Sequence, residues 1–179
     1  VWVSLAPRTL TLAPADVTHY LDESGAPDSV RQAWEAAPPG ARRWRERYAK
    51  HTKTVVRVAS PQRPVPAGSD SGWHRPTGQP LELLPERDPT ALRAGDTLHL
   101  RLLRAGALVP LHPVGVAAAT AAGAPTATML RTDAAGRLAI PLPTPGRWLV
   151  RTTLLRRGDG KTVDWESDFA TLTVAVGVR

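Results

Sequence analysis

The sequence predicts a mainly β protein with a C-terminal β-sandwich and an N-terminal strand–helices–strand segment. Three observations carry this reading. Apolar residues alternate with period two from Leu81 onward, they fall at helical spacing between Val17 and Trp34, and a stretch dense in Pro and Gly separates the two patterns. The 179 residues are enough for one domain of ordinary size, or a small domain with an appendage.

In chain order, Val1 to Leu5 alternate before Pro7, and Thr9 to Leu12 alternate after it, which predicts a strand and then an extended edge segment. Such a first strand is expected to be the last of a sheet, its outer edge paired by an upstream segment or another chain. Pro14 suits a helix's first turn, and Val17, Tyr20 and Leu21 share one face until Gly25. Asp28 or Ser29 is placed to cap a second helix, with Val30, Ala33, Trp34 and Ala37 as its buried stripe and Pro38-Pro39-Gly40 as its stop. From about Ala41 the spacing of Trp44 and Tyr48 predicts a third helix, followed by a strand through the β-branched run Thr54 to Val58. These elements make residues 1–59 one segment. Pro61, Pro64, Pro66, Gly68, Gly72, Pro76, Gly78 and Pro80 then mark residues 60–80 as a linker.

Residues 81–179 read as strands at Leu81-Leu83, Leu98-Leu100-Leu102, Val114-Val116-Ala118, Leu138-Ile140-Leu142 and Trp148-Val150-Thr152-Leu154. Turn residues stand at each break, among them Gly95, Gly106, Asp133 with Gly136, Gly146 and Gly160. Five or six such strands predict a β-sandwich, with Trp148 and Trp165 as core residues. In the last strand Trp165 and Phe169 share one parity while Leu172, Val174 and Val176 share the other. A bulge near Ser167–Ala170 is the expected resolution.

Composition excludes several functions. The absence of Cys removes disulfides, thiolate metal sites, iron–sulfur clusters and cysteine nucleophiles. The 23 Lys and Arg outnumber 16 Asp and Glu, yet only three are Lys, Asn is absent, and Ile, Met and Phe occur once each. That is the residue usage of a GC-rich coding sequence, and the basic residues are dispersed, so the charge does not indicate a nucleic-acid binder. The one dense stretch, Arg42-Arg43-Trp44-Arg45-Glu46-Arg47, reads as a solvated helix face or as a surface for phosphate or lipid headgroups. No run of about 18 apolar residues is present to predict a membrane-spanning helix. Any signal or anchor segment is expected to lie outside this sequence.

The five His residues, 19, 51, 74, 99 and 112, lie far apart and form no spaced ligand motif. His74, beside Trp73 in the linker, is the best placed to serve a transition metal, because loops present side chains freely. There is no Gly-x-Ser-x-Gly, no Ser, His and Asp set whose contexts suggest convergence, and no phosphate-cradling glycine loop, so neither an enzyme nor a resident cofactor is expected. Asp164, Glu166 and Asp168 read as charges on an open strand face, paired with Arg151 or Arg101.

Three stretches carry a family resemblance: Arg45 through Val58; Leu81 through Asp88-Pro89 to Leu92-Arg93-Ala94-Gly95-Asp96; and Thr132-Asp133-Ala134-Ala135-Gly136 through Pro145-Gly146-Arg147-Trp148 to Asp164-Trp165-Glu166-Ser167 and Leu172. In order and spacing these resemble bacterial periplasmic proteins of unknown function grouped with nickel/cobalt uptake components. The resemblance implies a secreted, non-enzymatic protein with an N-terminal β-domain, a helical excursion and an immunoglobulin-like, transthyretin-like sandwich. It implies an accessory or binding role in metal uptake. The alternative is a structural extrinsic subunit on the outer face of a transport, respiratory or photosynthetic membrane complex. Its partner contacts would come from the N-terminal half, at Trp2, Trp34, Trp44, Arg42, Arg43, Arg45 and Arg47, because Trp and Arg dominate interface hot spots.

Overall fold

The computed structural model describes residues 1–58, 72–119 and 127–179. Among these the protein is mainly β, built as two packed sheets with an N-terminal helical segment. The large sheet holds β1 (Trp2–Ser4), β2 (Arg8–Leu12), β3 (Trp44–Thr54), β7 (Pro113–Ala118), β8 (Thr128–Arg131), β10 (Gly146–Arg157) and β11 (Trp165–Val176). Its order is β3, β11, β10, β7, β8, with β1 and β2 lying end to end along the outer edge of β3. The small sheet holds β4 (Leu81–Pro85), β5 (Thr97–Arg104), β6 (Ala107–Leu108) and β9 (Arg137–Pro141). No helix among the described residues is long and apolar enough to cross a membrane.

The N-terminal segment is therefore not a separate layer. β3 runs parallel to β11 from Trp165 opposite Glu46 to Thr173 opposite Thr54, so one sheet joins residues 1–54 to the C-terminal strands. The boundary placed at 59 and 81 corresponds to no division between sheets. Most of the stretch assigned as a linker lies outside the described residues, but Gln79 is buried and donates to the Val3 carbonyl.

The helix expected from Ala41 is instead the first half of β3, and the strand expected at Thr54–Val58 begins ten residues earlier and ends at Thr54. Trp44 and Tyr48 satisfy period two as well as a spacing of four. β2 on one side and β11 on the other supply the backbone partners that settle the choice. The two other helices form, α1 (Pro14–Ser24) and α2 (Asp28–Ala36). Gly25 ends α1 at φ +64°, where an added Cβ would also press on Pro113 and Met129 at 2.9 Å. Neither Asp28 nor Ser29 caps α2; Pro27 stands at the N-cap, and its carbonyl accepts from Val30 and Arg31.

β11 carries no bulge. It pairs β10 without interruption from Trp165 opposite Arg157 to Val176 opposite Gly146. The two parities are both satisfied because each face is covered over a different half. Ala170, Leu172, Val174 and Val176, with Trp148, Val150 and Leu154 of β10, face the small sheet and its Leu81, Leu83, Leu98, Leu100 and Ile140. Trp165, on the opposite face at the other end, joins Trp44, Val17, Leu21, Val30 and Trp34 under the helices. Trp148 thus belongs to the sandwich core, whereas Trp165 does not.

The turns rest on short-range hydrogen bonds. Asp133 Oδ1 accepts from the N–H groups of Ala135 and Arg137 at 2.8 Å, and Gly136 takes φ +69°. Gly146, at φ +129°, opens β10. The Trp148 indole donates to the Thr144 carbonyl at 3.0 Å.

Candidate functional site

The helices cover only part of the outer face of the large sheet. On the rest of that face lies a groove of about 500 Å³, walled by Tyr20, Glu23 and Ser24 of α1. Alternation decides its floor. Lys50 and Thr52 of β3, Phe169 and Thr171 of β11, Leu149, Arg151 and Thr153 of β10, Gly115 of β7 and Met129 of β8 fall on this one parity. Val3 and Leu5 extend the floor to the outer edge. The lining is largely apolar, with hydroxyls and two cations set into it.

Three of these side chains have definite local causes. Lys50 Nζ stands 5.6 Å from the centre of the Tyr48 ring and 5.8 Å from that of Phe169, and no carboxylate lies within 4 Å of it among the described residues. Arg151 lies across Gly115: a Cβ there would meet Arg151 Cγ at 3.2 Å and Met129 Sδ at 3.4 Å, so glycine leaves the room both occupy. Glu23 approaches the Arg151 guanidinium at 3.9 Å from the helix side. Thr171 Oγ1 donates to Thr52 Oγ1 at 2.9 Å between the two cations.

Behind this floor, on the opposite parity, a polar chain crosses the sheet. Ser4 Oγ lies 3.0 Å from His51 Nδ1, and His51 Nε2 lies 3.2 Å from Asp168 Oδ1. Asp168 Oδ2 accepts from Arg156 at 2.6 Å, Arg156 also donates to Glu166 at 3.1 Å, and Glu166 accepts from Arg47. The sequence reading found no convergent Ser, His and Asp set, yet the fold brings these three together. His51 is only 4% exposed, and Ser4 Oγ also accepts from the Gln79 amide at 3.3 Å. The array satisfies buried polar groups where the small sheet no longer covers this face. Asp164, Glu166 and Asp168 accordingly pair with Arg45, Arg47 and Arg156, not with Arg151 or Arg101, because β11 is a central strand between β3 and β10.

A second buried acid, Glu46, is 1% exposed. It accepts from the Trp44 indole at 2.7 Å, from the Tyr20 hydroxyl at 2.9 Å and from Ser167 Oγ. Burial and the neighbouring Glu46 charge hold the Tyr20 phenol well above its usual range.

The expected partner anchors separate into two groups. Trp44 is fully buried and Trp34 is 7% exposed, so neither reaches a partner; they pack edge to face at 6.0 Å. Arg42 donates to the carbonyls of Ala37 and Glu35 at the end of α2, Arg45 clamps Asp164 at 2.9 Å, and Arg47 pairs with Glu166. Trp2, 52% exposed, and the exposed Arg43 remain outward, and Val1, Val3 and Leu5 flank Trp2 as exposed apolar residues. His74 is exposed against the Trp73 ring. Among the described residues no group of three or more His, Asp or Glu side chains is placed to hold a metal ion.

The shared face of the groove residues Lys50, Arg151, Gly115 and Phe169 escaped the sequence reading. The signal was present in Lys50, one of three lysines in a chain that otherwise uses Arg. Reading residues 41–50 as a helix hid the face on which it stands.

A family model, the domain of unknown function DUF4198, matches residues 2–155. That span runs from β1 through most of β10, and the chain belongs to this family. No curated protein and no solved structure matches the chain.

Proposed function

We propose that this member of the DUF4198 family is a non-enzymatic, extracytoplasmic binding protein, an accessory to nickel/cobalt uptake, that engages an organic ligand in the groove beside α1. The observation that carries the binding role is the groove itself: a concave, mostly apolar site of about 500 Å³ with Lys50 and Arg151 set into its floor. Concave apolar sites with a few polar groups are where proteins take up small ligands. The link with nickel and cobalt comes from the sequence resemblance. No residue is assigned to the metal.

Two titrations test the two parts. Calorimetry against a panel of small apolar molecules, repeated on Gly115→Val, tests the groove: binding that the variant abolishes supports the site. Calorimetry with nickel, cobalt, copper and zinc tests the metal: binding no tighter than about millimolar would remove this chain as a direct metal carrier.

A second reading is favoured by the exposed apolar edge. Val1, Trp2, Val3 and Leu5 form a strip along β1 suited to docking on another protein, which fits a structural subunit of a membrane complex. Purification from native membranes decides it. Stoichiometric recovery with membrane subunits, lost in Trp2→Ala, favours the docked subunit over the free binding protein.

A further inference from the structure

We propose that the ligand of the groove is an apolar monocarboxylate, its carboxylate held by Lys50 and Arg151 and its hydrocarbon body lying over Leu149 and Met129. This rests on the groove reading above and specifies the ligand's chemical class.

Of the ionisable side chains facing the groove, Lys50 and Arg151 are cationic and Glu23 is anionic. Glu23 is half exposed and approaches Arg151 at the limit of an ion pair, 3.9 Å, so it holds the guanidinium only loosely. Lys50 has aromatic faces for company, and no carboxylate within 4 Å among the described residues. A cation over ring faces is held in place without being neutralised, which suits it to receive an anion.

Register brings the two cations within reach of one head group. Lys50 lies opposite Phe169, Phe169 lies opposite Thr153, and Arg151 is two residues along β10. Two strand spacings and one two-residue step put their Cα atoms about 12 Å apart, which two long side chains span. Thr171 and Thr52 sit between, and Thr52, which accepts from Thr171, keeps its own hydroxyl proton for the same oxygens. Phe169 lies at the head-group position beside Lys50, and past Arg151 the floor continues to Leu149 and Met129, which favours an aliphatic body over a sugar or a nucleotide.

Gly115 supplies an independent observation. Without a Cβ, Gly115 leaves Arg151 its place against β7, and a Cβ there would stand 3.2 Å from Arg151 Cγ and press the side chain away. The glycine is not needed for a positive φ. Its geometric consequence is an open floor.

The test is calorimetric titration of the protein with decanoate, decanol and decylammonium, each below its aggregation threshold. Decanoate is expected to bind about tenfold to a hundredfold more tightly than decanol, since a charge-assisted hydrogen bond contributes on that scale, and decylammonium most weakly. Lys50→Met, at an exposed position, should leave the melting temperature unchanged and remove most of the preference for decanoate. Equal binding of decanoate and decanol, or a preference untouched by Lys50→Met, would overturn the carboxylate assignment while a Gly115→Val-sensitive groove still stands. Failure of all three probes to bind would overturn the groove reading with it.

Discussion

The two halves of the long strands β10 and β11 are buried by opposite means. At one end Trp148, Val150, Leu172 and Val174 point into an aliphatic sandwich core; at the other Trp165 and Leu155 point the opposite way, into an aromatic cluster beneath two short helices. The sandwich half is packed mainly leucine against valine, with the Lys53–Glu82 pair at its β3 side. The helical half stacks Trp44 on Trp165 at 4.9 Å, sets Tyr20 and Trp34 edge-on to Trp44, and closes over a buried Glu46. A regular strand therefore serves two cores without any kink, provided that the cover changes sides along its length. The uncovered remainder of the helical face is where the groove lies.

If the two cores belong to one sheet, removing the N-terminal segment should destroy both. A fragment of residues 81–179 loses β1 to β3 and both helices, leaving the β11 edge unpaired and Trp165 and Phe169 uncovered. The expected outcome is no cooperative unfolding transition in circular dichroism. A sharp transition from that fragment would show the sandwich core to be self-sufficient and break the comparison.

The cores can also be weighed by single substitutions. Trp44→Ala and Trp148→Ala should each cost about 3–5 kcal/mol in urea denaturation, as large-to-small core changes do. Trp44→Ala should be the costlier, because it also takes a donor from the buried Glu46 carboxylate. A loss below about 1 kcal/mol at Trp44 would mean that the aromatic cluster adds little to the fold.

How much of this was legible in the sequence follows from which interactions are local. The sandwich strands were readable because Leu98-Leu100-Leu102 or Leu138-Ile140-Leu142 shows only one plausible period, and α1 was readable because Pro14 and Gly25 bracket its stripe. β3 was not, because Trp44 and Tyr48 fit either period and the deciding partners, Leu10 to Leu12 and Trp165 to Thr173, are distant in sequence. The error at β3 propagated to the site. Once Lys50 is on a helix, its shared face with Phe169 and Arg151 is invisible, as is the meeting of His51 with Ser4 and Asp168. Reading β11 as one half-buried strand had the same effect on its acids, whose partners on β3 and β10 follow only from its central position.

A tie between the small sheet and β3 offers a finer test. Lys53 and Glu82 pair in the interior, and Glu82 also accepts from the Thr77 N–H at 2.9 Å. Lys53→Met leaves a buried carboxylate without its cation and should cost about 3–5 kcal/mol, while adding Glu82→Leu should recover most of that loss. A double variant as unstable as the single one would mean that the pair fixes how the small sheet meets β3, beyond cancelling its own charges.

The smallest effect expected is a pH dependence at the margin between the covered and open parts of the helical face. His112 precedes β7, its Nε2 donating to the Thr153 carbonyl at 3.1 Å and its backbone N–H to Thr132 Oγ1 at 2.8 Å. Burial lowers its pKa below the usual imidazole value, and the Arg131 charge adds to this against the opposing hydrogen bond to Thr153. A His that stays neutral when folded but protonates when unfolded draws the equilibrium toward the unfolded chain in acid. Stability is thus unaffected by this group well above pH about 6.5 and declines as pH falls below that value toward the lowered folded pKa. Urea denaturation at pH 7.5 and 5.5 should show a stability loss in the parent that is smaller in His112→Gln. An equal loss in both would assign the acid sensitivity to other groups and leave His112 a neutral spacer ahead of β7.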